Sequence, residues 1–410
     1  MSKKHLEPRT VGFLFVGGLA TAGTTLGMLS ATSATTLISG GSGGVTTGIF
    51  LALMQFTAGV AALWTNQMAA KWGSQKVYAS AQVGVAASWI FIGAFEAVND
   101  SSLVVFLLAV PVGIMIGVGG VLIPFITRSF IDTGSLTASL ARRSAVSGIA
   151  AMLGAVIGGY LIHATDPGIG IVASGLLTLP FAIFIICIRP VAALKPVRAQ
   201  PNPMRDIFSQ LRNSSQLRYV AVITVAMPLL MVPLISMMVP ILNDLDHAPL
   251  PSGAGLVLGG VAAGRLLVPY LTKRLLKRRQ ELPSALWAVI WAAGFMIMFA
   301  ASALIPLLDF KLVVWTIIGF GIGASSYSFW TLHVAAAAKS GAERDESLGV
   351  ATVVTIGLFV SPVGALLWGF MIDNTGAPFT VAIGAVALIA VVLGLVGRLN
   401  SKNRVLTPTS

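Results

Sequence analysis

Residues 189–216 read RPVAALKPVRAQPNPMRDIFSQLRNSSQ. Four prolines (Pro190, Pro196, Pro201, Pro203) and a mostly basic set of charges make this a linker, with room for a short surface helix from Met204 to Leu211. Everything on either side of it is apolar ladder. Six apolar segments precede it, at 11–36, 46–69, 77–95, 102–127, 143–164 and 167–188. Six follow, at 217–242, 252–272, 284–306, 311–337, 347–372 and 376–398. Each has about 19 residues or more, enough to cross a ~30 Å hydrocarbon core as a helix. The expected fold is therefore an all-α integral membrane protein with twelve transmembrane helices in two six-helix bundles related by a pseudo-two-fold axis. The expected domains are 1–188, a linker at 189–216, a second bundle at 217–398 and a tail at 399–410.

Composition agrees with that reading. Of 410 residues, 56% are hydrophobic and only 10% charged, too few charges for a soluble chain of this length. The net charge of +12 is spread over short loops, where it meets anionic lipid headgroups, so it does not point to a nucleic acid. One cysteine, Cys187, cannot form an internal disulfide, and no Cys/His spacing suggests a metal. Segment 1 follows a basic start but is too long for the apolar core of a signal peptide, so it is read as a retained span.

The bases also orient the ladder. Of the 26, 24 lie at the ends of the chain or in every second gap, which places both termini in the cytoplasm and the protein in the plasma (inner) membrane. The two exceptions are Lys311, in an outer gap, and Arg265, inside segment 8.

The halves resemble each other. Gly117-Val118-Gly119-Gly120 in segment 4 matches Gly321-Ile322-Gly323-Ala324 in segment 10 at an offset of 204. Gly154-Ala155-Val156-Ile157-Gly158-Gly159 in segment 5, ending near Asp166, matches Ser361-Pro362-Val363-Gly364-Ala365 in segment 11, ending near Asp373, at an offset of 207. Basic gaps follow segments 2 and 8 alike, Lys71 against Lys273. Such internal repeats are one way transporters are built.

Twelve spans as six plus six, a basic mid-chain linker and these paired basic loops together resemble the major facilitator superfamily over essentially the whole chain. The family's loop after span 2, Gly-x-x-x-Asp-Arg-x-Gly-Arg-Arg, is matched by Asn66-Gln67-Met68-Ala69-Ala70-Lys71-Trp72-Gly73-Ser74-Gln75-Lys76. Lys71 and Gly73 keep the pattern and are carried over as gating candidates, whereas Ala70 replaces the carboxylate of the family's charge lock. The span-4 motif keeps its glycines and lacks its arginine, with Gly113 at that position. The Gly154–Gly159 run is similar to the family's antiporter signature, with Ala155 for proline. The resemblance implies a monomeric secondary transporter working by alternating access on a small-molecule substrate, with membrane lipids around it and protons as the candidate coupling ion. It implies no enzyme activity and no cofactor.

Several residues stand out as site candidates. Arg265 lies about 13 residues into segment 8, where a cation costs at least ~2.5 kcal/mol at the bilayer centre and so should face protein or water. Segment 10 carries Ser326, Tyr327, Trp330 and His333 in an apolar helix, with Ser326, Trp330 and His333 at i, i+4 and i+7 on one face. Thr21 and Thr25 begin a threonine stripe in segment 1, and Gln55 in segment 2 is a better cavity candidate than Gln82 in segment 3. None of the 14 acidic residues falls at mid-membrane. Asp132, four residues after Arg128, is the nearest, and the two are gating or coupling candidates. The leading expectation is efflux of a small amphipathic compound, and the alternative is uptake or exchange of a small anion at Arg265. An integral-membrane enzyme or lipid-handling protein ranks third, since only His333 and Asp132 could titrate at membrane depth.

Overall fold

The computed structural model describes residues 7–38, 42–99, 102–131, 135–191, 203–246, 251–277, 280–305, 310–341 and 346–405. Within the bilayer a backbone has no water to bond to, and the chain answers by being helical. Among the described residues twelve helices are long and apolar enough to span. In order they are spans 1 (Pro8–Ile38), 2 (Gly44–Trp72), 3 (Ser74–Asn99), 4 (Leu103–Phe130), 5 (Leu136–Ala164) and 6 (Pro167–Cys187). The second half holds spans 7 (Gln216–Ser236), 8 (Ser252–Leu276), 9 (Glu281–Ala303), 10 (Lys311–Ser340), 11 (Glu346–Thr375) and 12 (Ala377–Arg398). The linker helix is present as Pro203–Asn213, and its Gln210 accepts a hydrogen bond from Thr352 in span 11 at 3.2 Å.

The neighbours of each span repeat with a shift of six. In the first half span 1 packs on 5 and 6, span 2 on 4, and span 3 on 4 and 6. In the second half span 7 packs on 11 and 12, span 8 on 10, and span 9 on 10 and 12. Two seams join the halves, span 2 against 11 and span 5 against 8, and the same shift exchanges them. The fold is thus two pseudo-symmetric six-helix bundles.

Close backbone approach sets the register of this repeat. A Cβ on Gly113 or Gly117 of span 4 would press on the carbonyls of Met54 and Ala58 in span 2. Gly319 and Gly323 of span 10 stand in the same relation to Val257 and Val261 of span 8. The structural offset here is 206, which corrects the 204 of the sequence alignment. At the seams, Gly48 meets Ala365 and Gly369, while Gly255 meets Ala155 and Gly159, an offset of 210 for spans 5 and 11 where the sequence suggests 207. Every glycine of the Gly154–Gly159 run is accounted for by packing. Gly154 and Gly158 abut Ala22 and Leu26 of span 1, and Gly159 abuts Pro251 and Gly255.

Span 4 opens as a 3-10 helix at Ser102–Leu108, and in the second half prolines break spans 7 and 8. Span 7 is interrupted at Met231 and again at Met237, around Pro233 and short of Pro240, so the expected single segment is three short helices. Span 8 tightens into a 3-10 turn at Arg265–Leu267. The cause is Pro269, which has no N–H to give the carbonyl of Arg265 four residues back and crowds it. That carbonyl instead accepts from the Val268 N–H in a 3-10 bond.

Each membrane face has a contact between halves. On the face opposite the chain ends, Asp373 at the end of span 11 accepts from the backbone N–H groups of Gly44 (2.9 Å) and Val45 (2.8 Å) and from the Ser42 hydroxyl. Span 2 begins at Gly43 with no cap of its own, so Asp373 supplies both the missing acceptor and a favourable charge for the helix dipole. On the basic face, Arg128 of span 4 pairs with Glu346 in the first turn of span 11 at 3.1 Å. This partner differs from the Arg128–Asp132 pairing expected from sequence; Asp132 lies outside the described residues.

Two outcomes follow. Gly255→Val puts a side chain 2.5 Å from the Ala155 carbonyl, and overpacking of that kind costs about 1–3 kcal/mol. It should lower the thermal unfolding midpoint of the purified protein, whereas Gly294→Val, which meets nothing within 4 Å, should not; equal effects would remove the seam from the account. Second, in a Cys187→Ser background, Asp373→Asn should speed alkylation of a cysteine placed at Thr32, and Glu346→Gln that of a cysteine placed at Ser147. Unchanged rates in both would show that these contacts do not hold the faces shut.

Candidate functional site

A cavity of about 580 Å³ lies between the halves, walled by spans 1–8, 10 and 11. A second chamber of about 290 Å³ continues from it toward the face opposite the chain ends. Thr24, Thr25, Val232, Arg265, Tyr327 and Trp330 belong to the walls of both, so the Arg265–Tyr327 pair and the Trp330 indole form a neck between them.

The neck is built from span 8 outward. The 3-10 turn presents Arg265 toward the cavity while Leu266 and Tyr270 face outward. Its Cβ rests on Gly148 of span 5, where a side chain would lie within 2.6 Å of it. The guanidinium stands over the Tyr327 ring, 3.7 Å from its centroid, and one Nη donates to the Tyr327 hydroxyl. Arginine suits this place because its planar group can stack on an aromatic face and still direct donors sideways. Nε is buried and has no partner among the described residues. A buried unmet donor costs roughly 1–3 kcal/mol, which a ligand atom could recover.

A second arginine shares the cavity. Arg143 lies in span 5, its guanidinium within electrostatic reach of Arg265 and of the Tyr78 hydroxyl. No hydrogen bond or ion pair holds it among the described residues. The reading from sequence left it at the loop end of segment 5. The overlooked signal is a helix cap: Ser135 accepts from the Ala138 N–H at 3.2 Å, so the helix starts at Leu136 and carries Arg143 two turns inside. Tyr78 and Gln82 of span 3 line the cavity too, with Gln82 donating to the Tyr78 hydroxyl at 2.8 Å. Gln82 thus stands beside Gln55, where the sequence ranking placed only Gln55 in the wall.

The other candidates divide by position. Thr21, Thr25, Gln55, Tyr327 and Trp330 line the main cavity, and Ser326 lines the second chamber. His333 is fully buried behind the wall, its Nε2 2.8 Å from the Thr224 hydroxyl and its ring stacked on Phe329. Lys71 sits outside the cavity, over Trp72, in a groove formed by spans 2, 3 and 4. Gly73 makes the turn to span 3 with φ of 88°, a conformation glycine adopts freely.

The hydroxyls are less available than their number suggests. Thr21, Thr24, Thr25 and Thr32 each donate to the carbonyl four residues back, at 2.8–2.9 Å, and Ser328 and Thr331 do the same. Of these, the threonines in the walls offer the cavity methyl groups and acceptor lone pairs. The strong donors are the two guanidinium groups, and among the described residues no carboxylate lines either chamber. Two like charges that line one cavity repel each other and make the potential there positive.

Comparison with known proteins agrees with this architecture. The sequence profile described as Major Facilitator Superfamily matches residues 10–352. No curated protein matches. Among solved structures, the human organic anion transporter MFSD10 (TETRAN) is similar at 17% identity, with 96% of this chain and 100% of that chain covered and a TM-score of 0.66. The proton:xylose symporter XylE bound to 6-bromo-6-deoxy-D-glucose gives 10% identity, 95% coverage of each chain and a TM-score of 0.66. The E. coli fucose:proton symporter FucP gives 12% identity, 95% and 97% coverage and a TM-score of 0.61. Identities this low speak to fold alone, whereas the family profile spans most of the chain. The chain belongs to the major facilitator superfamily, a multi-pass secondary transporter that moves a small solute across the membrane by alternating access.

Proposed function

We propose that the solute is a small organic anion, taken up or exchanged, that binds at Arg265. The carrying observation is that, among the described residues, the Nε of that arginine has no partner and no acid lines the two chambers whose neck it forms. The apolar lining of the second chamber (Met28, Met227, Met231, Ile235) suits a solute with an apolar portion next to its charge. MFSD10 is an organic anion transporter by name; at 17% identity its substrate lends no weight to this reading, which stands on the residues.

The expectation of efflux rested partly on the Gly154–Gly159 run. Helix packing explains that run fully, so it says nothing about direction. In this reading both chain ends lie in the cytoplasm, by the distribution of bases, and the cavity opens to each side as the halves rock about the two glycine seams. The halves correspond to 1–188 and 217–398, joined by the linker at 189–216. Protons remain the candidate coupling ion, and without a lining carboxylate a pH gradient would act through the solute or through groups outside the cavity.

Counterflow of a panel of organic anions into proteoliposomes, with and without a pH gradient, tests the proposal. Arg265→Gln should reduce anion counterflow at least tenfold, the scale of a lost charge-assisted bond, and Tyr327→Phe should reduce it less. Undiminished counterflow in Arg265→Gln, or transport of neutral solutes only, would overturn it.

A further inference from the structure

We propose that Arg143 and Arg265 form a two-point site for a dianionic organic solute, with one anionic group on each guanidinium. This rests on the anion reading at Arg265 and extends it to the class of anion.

The two cations reach the cavity from different halves, Arg143 from span 5 and Arg265 from span 8, across the same seam. The Arg265 side chain is seated at Gly148, five residues after Arg143. At 1.5 Å rise per residue the points where the two side chains meet span 5 are staggered by about 7.5 Å. Seats this far apart give the two guanidinium groups room to hold separate anionic groups of one small molecule. Among the described residues neither guanidinium is paired with an acid and Arg143 has no hydrogen-bond partner. Ser144, Ser147, Tyr78 and Gln82 line the same cavity as Arg143 and add polar atoms to its wall. The end at Arg265 opens instead onto the apolar second chamber. A dianion would satisfy both cations and relieve their mutual repulsion, and because they belong to opposite halves its binding would draw the halves together. A monoanion would satisfy only one.

Binding of succinate, glycerol 3-phosphate and butyrate to the detergent-purified full chain separates the possibilities. The first two are dianions of different headgroup, and butyrate is the monoanionic counterpart of succinate. At least one dianion should bind tenfold or more tightly than butyrate, and which one it is identifies carboxylate or phosphate as the headgroup. Arg143→Gln should erase that preference by weakening the dianion at least tenfold more than butyrate, Arg143→Lys should restore part of it, and Arg265→Gln should weaken both kinds of anion. If butyrate binds as tightly as both dianions, or if Arg143→Gln weakens butyrate and dianion alike, the two-point site is wrong while the anion reading survives. If no anion binds, or Arg265→Gln changes nothing, the anion reading falls as well. Thermal unfolding of each variant separates lost binding from lost fold.

Discussion

Everything in this molecule depends on how closely two backbones can approach at the seams between its halves. Gly48 against Ala365 and Gly369, and Gly255 against Ala155 and Gly159, bring helices together at distances that leave no room for a Cβ. In lipid, helices gain little from hiding apolar side chains from one another, so tight van der Waals contact between small residues carries much of the association. Because the pseudo-symmetry exchanges the two seams, they present similar surfaces to rotation. Bulk is displaced to other places, and the space between the seams is left as a cavity.

Within that cavity the division of labour is chemical. Helix-borne threonines spend their protons on their own carbonyls, so polarity in the wall does not equal donor capacity. Arginine is different, since its five donors cannot all be met by its own helix. On the proposed anion reading, two such groups with no acid among the described lining residues would select by charge before any shape is considered.

The number of spans, their order and the six-plus-six division were legible in the sequence, because hydrophobic length is a one-dimensional property. Direction around a helix axis is not, and the misjudged details are of that kind. His333 shares a helical face with Trp330 by spacing, yet its ring turns to Thr224 and Phe329 and away from the cavity. Arg143 looked like a loop base because hydropathy marks where apolar residues begin, whereas the helix begins at its cap, two turns earlier. The repeat register slipped for a related reason: glycines were matched by their order in the chain, while contacts with neighbouring carbonyls decide which glycines are equivalent.

The 3-10 turn at residues 265–267 has a wider consequence. Three residues per turn in place of 3.6 shift the azimuth of each side chain by about 20° per residue, so the bearing of Arg265 is set by the position of Pro269. That proline touches the cavity nowhere among the described lining residues. Sequence drift at such a position could re-aim a buried charge without altering a single wall residue. Divergence of substrate range in this chain's descendants thus has a route that comparisons of cavity residues alone would overlook.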